Sequence, residues 1–274
     1  METALMLQAL KELDRVLRGE ATRISAIKDG SIRIRVPGML AMILLLGLFA
    51  GFCVGWFALF NRKPPVYEQL LASAVKVPLL FLLTLIVTFP SLYVFNALVG
   101  SRLSLASVFR LLIAALAVTL AIIASFGPIT AFFSVSTENY SFMVLLNVLL
   151  FAVGGVLGLL FLLQTLHRLS LVDKLLPPSD EPTPPTTPPP TPDGAPAPPP
   201  DPLGALDRIE GRVLGRHVKA VFQAWIIVFG LVGAQMAWVL RPFIGDPNRP
   251  FAWFRPRASN FFEAVLGTLQ SLFS

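Results

Sequence analysis

The order of apolar and polar residues along the chain predicts about five helices that cross a membrane. The five mainly apolar stretches cover residues 38–60, 77–99, 111–133, 143–166 and 220–240. Each is long enough to span a hydrocarbon core about 30 Å thick at a rise of about 1.5 Å per residue. None of the five contains Asp, Glu, Lys, Arg or His. The predicted fold class is therefore all-α, a polytopic transmembrane helical bundle.

Both ends of the chain predict amphipathic helices. Residues 2–18 place apolar side chains at helical spacing with charged residues between them. This pattern favours a helix that lies on the membrane surface or packs on another helix. Near the other end, Asn260 followed by Glu263 is typical of a helix start. The apolar stripe that accompanies it consists of Phe261, Val265, Leu269 and Leu272. We predict that this helix lies in the outer membrane interface.

Residues 177–202 are rich in proline and lack large apolar side chains, so they favour extended polyproline II and cannot form a packed core. One interpretation is a solvated tether. The other is a docking strip for a proline-recognising partner, because Pro182, Pro185 and Pro188 have PxxP spacing. The predicted parts of the chain are a cytosolic segment (1–37), a four-span unit (38–170), a disordered proline-rich linker (171–203), a juxtamembrane helix with the fifth span (204–240) and an interfacial tail (241–274).

The positions of Lys and Arg predict the orientation. These residues cluster before the first span, between the second and third, and between the fourth and fifth, while the loop at 134–141 has none. Because cytoplasmic loops carry an excess of Lys and Arg, we predict a cell (inner) membrane protein with a cytoplasmic N-terminus and an outside C-terminus. The net charge of +6 lies beside apolar segments and forms no recognition motif. We therefore expect membrane lipid, and not nucleic acid, as a partner.

Small residues recur at a spacing that indicates close helix packing. Gly47, Gly51 and Gly55 follow one another every four residues in the first span, and Gly154 and Gly158 do so in the fourth. A glycine lets two helix backbones approach closely in a membrane. Packing within the bundle is one interpretation, and a homo-oligomer formed through the first span is the other.

Two prolines and two amides are candidates for a cavity in the membrane. Pro90 and Pro128 lie within predicted spans, where proline bends a helix and frees a carbonyl. Asn96 and Asn147 are polar residues near them in the second and fourth spans. These four residues could line a polar cavity. Alternatively, Ser and Thr satisfy the bends and the amides bond between helices.

The tail mixes aromatic rings with arginine. Its interfacial candidates are Arg241, Phe243, Trp253, Phe254 and Arg255. Such a mixture suits the headgroup layer, where both kinds of side chain are satisfied. We therefore predict that the tail contacts lipid headgroups.

Several kinds of chemistry are not expected. His167 and His217 each lie beside an arginine and lack metal-ligand spacing. The single cysteine, Cys53, excludes an internal disulfide. The chain also has no GxSxG, Walker A or GxGxxG motif. We expect neither an enzyme nor a cofactor or metal site.

The layout of a cytosolic N-terminal segment, a compact bundle and a C-terminus across the membrane resembles the Yip1-type five-span proteins over residues 38–240. The phrases FPSLYVFNALVGSRLSL, PITAFF and LRPFIGDPNRPF are similar to those of uncharacterised bacterial multi-span membrane proteins. The proline-rich insertion departs from a compact Yip1 bundle. Neither resemblance implies an enzymatic activity.

The function expected from these patterns is a non-enzymatic membrane scaffold or subunit of a membrane complex. Its partners would be membrane lipid and either another protein or a second copy, met through the cytosolic segments and the tail. The alternative is a passive permease or channel subunit for a small polar solute, which would use the proline-bent spans.

Overall fold

The computed structural model describes residues 2–20, 35–61, 63–98, 105–175, 205–256 and 259–273, and in these ranges the chain is helical without strands. The helices are α1 (Glu2–Leu17), α2 (Val36–Phe60), α3 (Tyr67–Leu98), α4 (Leu105–Ser125), α5 (Gly127–Ser136), α6 (Tyr140–Leu175), α7 (Ala205–Leu240) and α8 (Phe261–Phe273). The predicted all-α class is confirmed.

Five segments are long and apolar enough to cross a membrane, as predicted. They are Val36–Phe60, Tyr67–Ser91, Val108–Ser136, Tyr140–Thr165 and Gln223–Leu240. This is the architecture of a multi-pass membrane protein. The predicted proline-rich linker falls mainly on residues 176–204, which lie outside the described residues.

The second span begins earlier than the sequence predicted. Helix α3 starts at Tyr67, and the apolar segment that could cross the membrane starts there too. The prediction that no ionisable residue lies within a span was therefore wrong for these segments, because Glu68 and Lys76 lie inside this one and Arg110 lies inside the third. The sequence prediction begins the second span at residue 77, directly after Lys76. A polar residue can continue a spanning helix where protein covers it.

The third span consists of two helices. After Ser125 the helix α4 ends, and α5 starts at Gly127 with Pro128 in its first turn. Proline is well suited to that place, since its missing N–H would have no helical partner there. The N–H of Phe126 lies 3.3 Å from the Ile122 oxygen and 3.1 Å from the Ile123 oxygen. The proline therefore marks a short break and not a bend within one helix.

Helix α4 lies at the centre of the bundle. The most apolar stretch of the Val108–Ser136 segment is 72% buried, against 11% for Gln223–Leu240 in α7. Helix α4 packs against α1, α2 and α6, while α7 packs mainly on α3. Trp225 fixes α7 in place, because it is fully buried and its Nε1 donates to the hydroxyl of Ser91 at 3.1 Å. Helix α7 is therefore a peripheral element, and the buried Trp225 is one of the side chains that anchor it.

The glycines of the first span face α3. A Cβ on Gly47 would lie 2.7 Å from the Pro78 Cβ, and one on Gly51 would overlap the carbonyl oxygen of Ser73. A Cβ on Gly55 would lie 2.9 Å from the Cα of Leu70. Helices α2 and α3 thus approach at backbone distance along these glycines, which is packing within the bundle.

The glycines of the fourth span face α4. A Cβ on Gly154 would lie 2.5 Å from Ile123 Cγ1, and one on Gly158 would overlap the Thr119 side chain. Thr119 directs its hydroxyl to its own helix, where it donates to the Ala115 oxygen at 2.9 Å. Because Gly154 and Gly158 have no side chain, α6 packs closely on the central helix α4.

Helix α1 and the segment that follows α7 lie at opposite ends of α2. Helix α1 contacts the start of α2, where a Cβ on Gly38 would lie 3.5 Å from Ala9 Cβ. The segment after α7 contacts the end of α2, where a Cβ on Gly245 would lie 2.7 Å from Ala58 Cβ. The predicted start of the C-terminal helix is confirmed, since Asn260 Oδ1 accepts the Glu263 N–H at 2.9 Å.

Candidate functional site

Three polar side chains form a buried stripe on the first turns of α3. Gln69, Ser73 and Lys76 are spaced four and three residues apart, so they share one face of the helix. All three are buried to 1% exposure or less. A buried polar group must find hydrogen-bond partners, and a buried ammonium costs several kcal/mol without them. The partners of this stripe identify the candidate site.

These partners come from residues 241–256, which we call the C-terminal loop. Gln69 Nε2 donates to the carbonyl oxygens of Pro242 at 3.2 Å and Phe243 at 3.1 Å. The hydroxyl of Ser73 lies within hydrogen-bond reach of the Phe243 oxygen and, at 2.7 Å, of the Gln69 oxygen. The donors of α3 thus bind the backbone of the loop, and its side chains remain available for other contacts.

Lys76 is held by carbonyl dipoles and aromatic faces. Its Nζ donates to the oxygens of Pro242, at 3.1 Å, and Trp253. The same atom lies 5.9 Å from the ring centroid of Trp253 and 5.2 Å from that of Phe254, both cation–π distances. Among the described residues no carboxylate forms an ion pair with Lys76. The loop therefore covers the positive charge without neutralising it.

An ion pair closes the loop on itself. Asp246 Oδ2 lies 3.5 Å from Arg255 Nη1 and 3.5 Å from Arg249 Nε. The side chains of Asp246 and Arg255 are each 15% exposed, so solvent screens this pair less than a surface one. Asp246 Oδ1 also accepts the backbone N–H of Asn248 at 3.0 Å. These bonds hold the two halves of the loop together.

Apolar contacts anchor the start of the loop in the bundle. Ile244 is 5% exposed and belongs to a buried cluster with Val54, Phe57 and Met143. Phe243 is half-buried and packs against the same cluster. The loop therefore belongs to the tertiary structure and is tied to both α2 and α3.

Arg241 lies where α7 passes into the loop. Its guanidinium carbon stacks over the ring of Trp238 at 3.3 Å, and Nη2 donates to the oxygen of Pro256. Its Nη1 is buried and has no hydrogen-bond partner within the described ranges. Burial, and after it the positive charge of Arg255, lowers the pKa of Arg241 from its usual value. This arginine therefore lies in an environment that already carries excess positive charge.

The interfacial candidates of the tail divide into two groups. Phe243 is half-buried and packs on the bundle, and Arg255 is partly exposed and paired with Asp246. Trp253 and Phe254 are 49% and 58% exposed although Lys76 lies beneath them. Their outer surfaces are the ones available to lipid or to a partner. Their place in a headgroup layer stays a prediction.

The cavity candidates are not brought together around a cavity. Pro90 and Pro128 occupy exposed positions, and the side chain of Asn96 lies outside what the structure describes. Asn147 is buried, with Nδ2 donating to the Met143 oxygen at 2.8 Å, and its Oδ1 has no partner in the part of the chain that the structure describes. The hydroxyls of Thr84, Thr88 and Ser91 donate within α3; Thr88, for example, donates to the Thr84 oxygen at 2.7 Å.

A space of about 40 Å³ lies between α3, α4, α6 and α7. Its polar lining side chain is Thr119, and neither the two prolines nor Asn147 lines it. A larger groove on the outside of α2 and α3 is lined by apolar residues such as Phe49 and Phe52. Within the described ranges, no group of three His, Cys, Asp or Glu side chains could hold a metal ion.

Comparison with protein-family models, with curated proteins and with solved structures found no match for this chain. The site therefore has to be interpreted from its own geometry. Sequence reasoning had missed Gln69, Ser73 and Lys76 as functional candidates. Their helical spacing within YEQLLASAVKVP was the available signal, since a polar face on an otherwise apolar helix needs a partner.

Proposed function

We propose that the chain is a non-enzymatic integral membrane scaffold, or a subunit of a membrane complex, that meets protein or lipid through its segments outside the spans. The observation that carries the proposal is the surface of α1. This helix is docked on the bundle by one face and presents a second apolar flank outward.

The docked face of α1 contains Ala9, Leu13 and Val16, each at most 5% exposed within the main apolar core. Arg35, at the start of α2, reaches back to Gln8 at 3.0 Å and to Glu12 at 3.8 Å. These contacts place α1 in a fixed position. A helix fixed in this way presents its remaining surface in a defined direction.

The outward flank of α1 consists of large apolar side chains that are 46–58% exposed. They are Met6, Leu7, Leu10 and Leu17. Met6, Leu10 and Leu17 lie next to the docked face at helical spacing, so the apolar surface continues from the bundle onto the flank. A second protein or a second copy that packs there would bury this surface. The exposed rings of Trp253 and Phe254 provide the corresponding surface at the other end of the bundle.

The experiment is site-specific photocrosslinking in native membranes, followed by purification in mild detergent. A crosslinker at Leu10 should give a discrete product of higher mass, whereas one at the buried Leu13 should crosslink within the chain. Met6→Lys, one turn before Leu10 on the same flank, should remove the product, and the matched change Lys11→Gln on the charged face should keep it. A chain that stays monomeric, with no discrete product from Leu10, contradicts the proposal.

A second candidate, a passive permease or channel subunit, is supported by one observation. Oδ1 of Asn147 is buried in α6 and has no partner among the residues described, and such an acceptor could bind a polar solute or water. Solute flux into liposomes that disappears in Asn147→Leu would favour this candidate over the scaffold.

A further inference from the structure

Positive charge exceeds negative charge around the C-terminal loop. Lys76, Arg241, Arg249 and Arg255 all lie on or under it, and Asp246 is the carboxylate that pairs with them in the described part of the chain. Arg255 lies close enough to both Lys76 and Arg241 for their charges to repel. A cluster with this excess attracts an anion.

Arg241 has a hydrogen-bond donor that the chain does not satisfy. Its flat face is stacked on Trp238, and one edge donates to Pro256. Nη1 is buried and has no partner among the described residues. A charged donor left unsatisfied is costly, and an acceptor from outside the chain removes that cost once the side chain of Arg241, which is only partly buried, turns toward it. The planar edge of a guanidinium suits the paired oxygens of a phosphate.

The position of the cluster indicates where the phosphate comes from. Arg241 directly follows Leu240, the last residue of the fifth spanning segment. Trp253 and Phe254 expose about half of their surface beside the cluster. Aromatic rings with arginine at the end of a spanning helix are typical of the headgroup layer. Phospholipid phosphates are concentrated at this depth, and exposed rings can pack against the adjoining glycerol and acyl groups.

We propose that Arg241 and Arg255 bind the headgroup phosphate of an anionic phospholipid, with Trp253 and Phe254 packing against the same lipid. The proposal rests on the lipid contact in the proposed function and names the lipid class and the residues. An anionic headgroup is preferred over a zwitterionic one because it adds no positive group to a cluster that already has an excess.

The test uses the full chain, purified in mild detergent and titrated with phosphatidylglycerol. The control titrations use phosphatidylcholine with the same acyl chains and inorganic phosphate alone. Binding is measured by native mass spectrometry and by the rise in melting temperature. We expect phosphatidylglycerol to bind at least about fivefold more tightly than phosphatidylcholine, and inorganic phosphate to give no comparable effect.

Variants locate the site. Arg241→Gln and Arg255→Gln should each weaken phosphatidylglycerol binding about fivefold or more. The matched control is Arg18→Gln, since Arg18 is an exposed arginine of α1 paired with Asp14. If the Arg241→Gln protein aggregates, the phosphatidylglycerol binding of Arg255→Gln decides the test. Equal binding of the two lipids, a full effect of inorganic phosphate, or an equal loss in Arg18→Gln overturns the proposal.

The outcome is separable from that of the scaffold test. The lipid cluster lies at the C-terminal end of α2 and the crosslinked flank of α1 at its start. Loss of lipid preference with an intact Leu10 crosslink would therefore refute the lipid site alone. Loss of the crosslink with intact lipid preference would refute the partner surface alone.

Discussion

The ammonium of Lys76 donates a hydrogen bond to the carbonyl oxygen of Pro242, which lies 166 residues later in the chain, at 3.1 Å. This bond joins the third turn of a membrane-spanning helix to the loop that follows the last span. It explains how a lysine is accommodated inside an apolar segment. The loop supplies the carbonyl oxygens and ring faces that water would otherwise supply.

Lys76→Met should loosen the C-terminal loop. The change leaves the Trp253 oxygen without its donor, at a cost of about 1–3 kcal/mol, while Gln69 still binds Pro242. The measurement is thiol labelling of Ile244→Cys, a position buried in the intact loop. We expect faster labelling in the Lys76→Met background. Lys11→Met, on the exposed face of α1, should leave the rate unchanged, and equal rates in both backgrounds would contradict the role given to Lys76.

Gly51→Ala should destabilise the bundle by about 1–3 kcal/mol, the usual cost of overpacking. The added Cβ would overlap the Ser73 carbonyl and lie 2.7 Å from the Ala74 Cα, both backbone atoms that cannot move alone. The measurement is the melting temperature in detergent. Gly230→Ala is the matched control, because no described residue lies within 4 Å of a Cβ there. If both changes lower the melting temperature equally, helix propensity and not the α2–α3 contact governs the result.

Trp225→Ala should release α7 from α3. The ring is fully buried, and its loss leaves a cavity that costs about 3–5 kcal/mol. Trp225→Phe separates packing from hydrogen bonding, since it keeps most of the volume and removes the bond to Ser91; its expected cost is about 1 kcal/mol. Both are measured by thermal unfolding in detergent. A Phe variant as unstable as the Ala variant would show that the hydrogen bond carries the contact.

Asn147→Leu should leave stability unchanged or raise it. Its side-chain carbonyl oxygen is buried and has no partner in the described ranges. Replacing a half-satisfied polar group by an apolar one of similar size removes the cost of burying it. The melting temperature and solute flux into liposomes are measured on the same preparation. A clear fall in melting temperature would indicate that Oδ1 has a partner outside the chain, as the permease candidate requires.

The number and approximate position of the spans follow from the sequence, because crossing a hydrocarbon core requires a long apolar segment whatever its neighbours are. The spacing of Gly47, Gly51 and Gly55 likewise indicated a close helix contact before its partner was known. The start of α8 was equally predictable, since Asn260 caps it by accepting the N–H of Glu263, only three residues later in the chain. Each of these features depends on local residues.

The tertiary structure decided what non-local contacts determine. The sequence placed Lys76 outside the span, because hydropathy treats a charge as a boundary and cannot show that the C-terminal loop covers it. The partner of the glycine face is α3, a choice that spacing alone leaves open. The same applies to Arg241. Only the folded chain shows that its guanidinium stacks on Trp238 and donates to Pro256 while Nη1 has no partner among the described residues. An apolar segment has an affinity for the membrane that depends only on its own residues. A buried polar group is stable only where residues distant in the chain supply its hydrogen-bond partners.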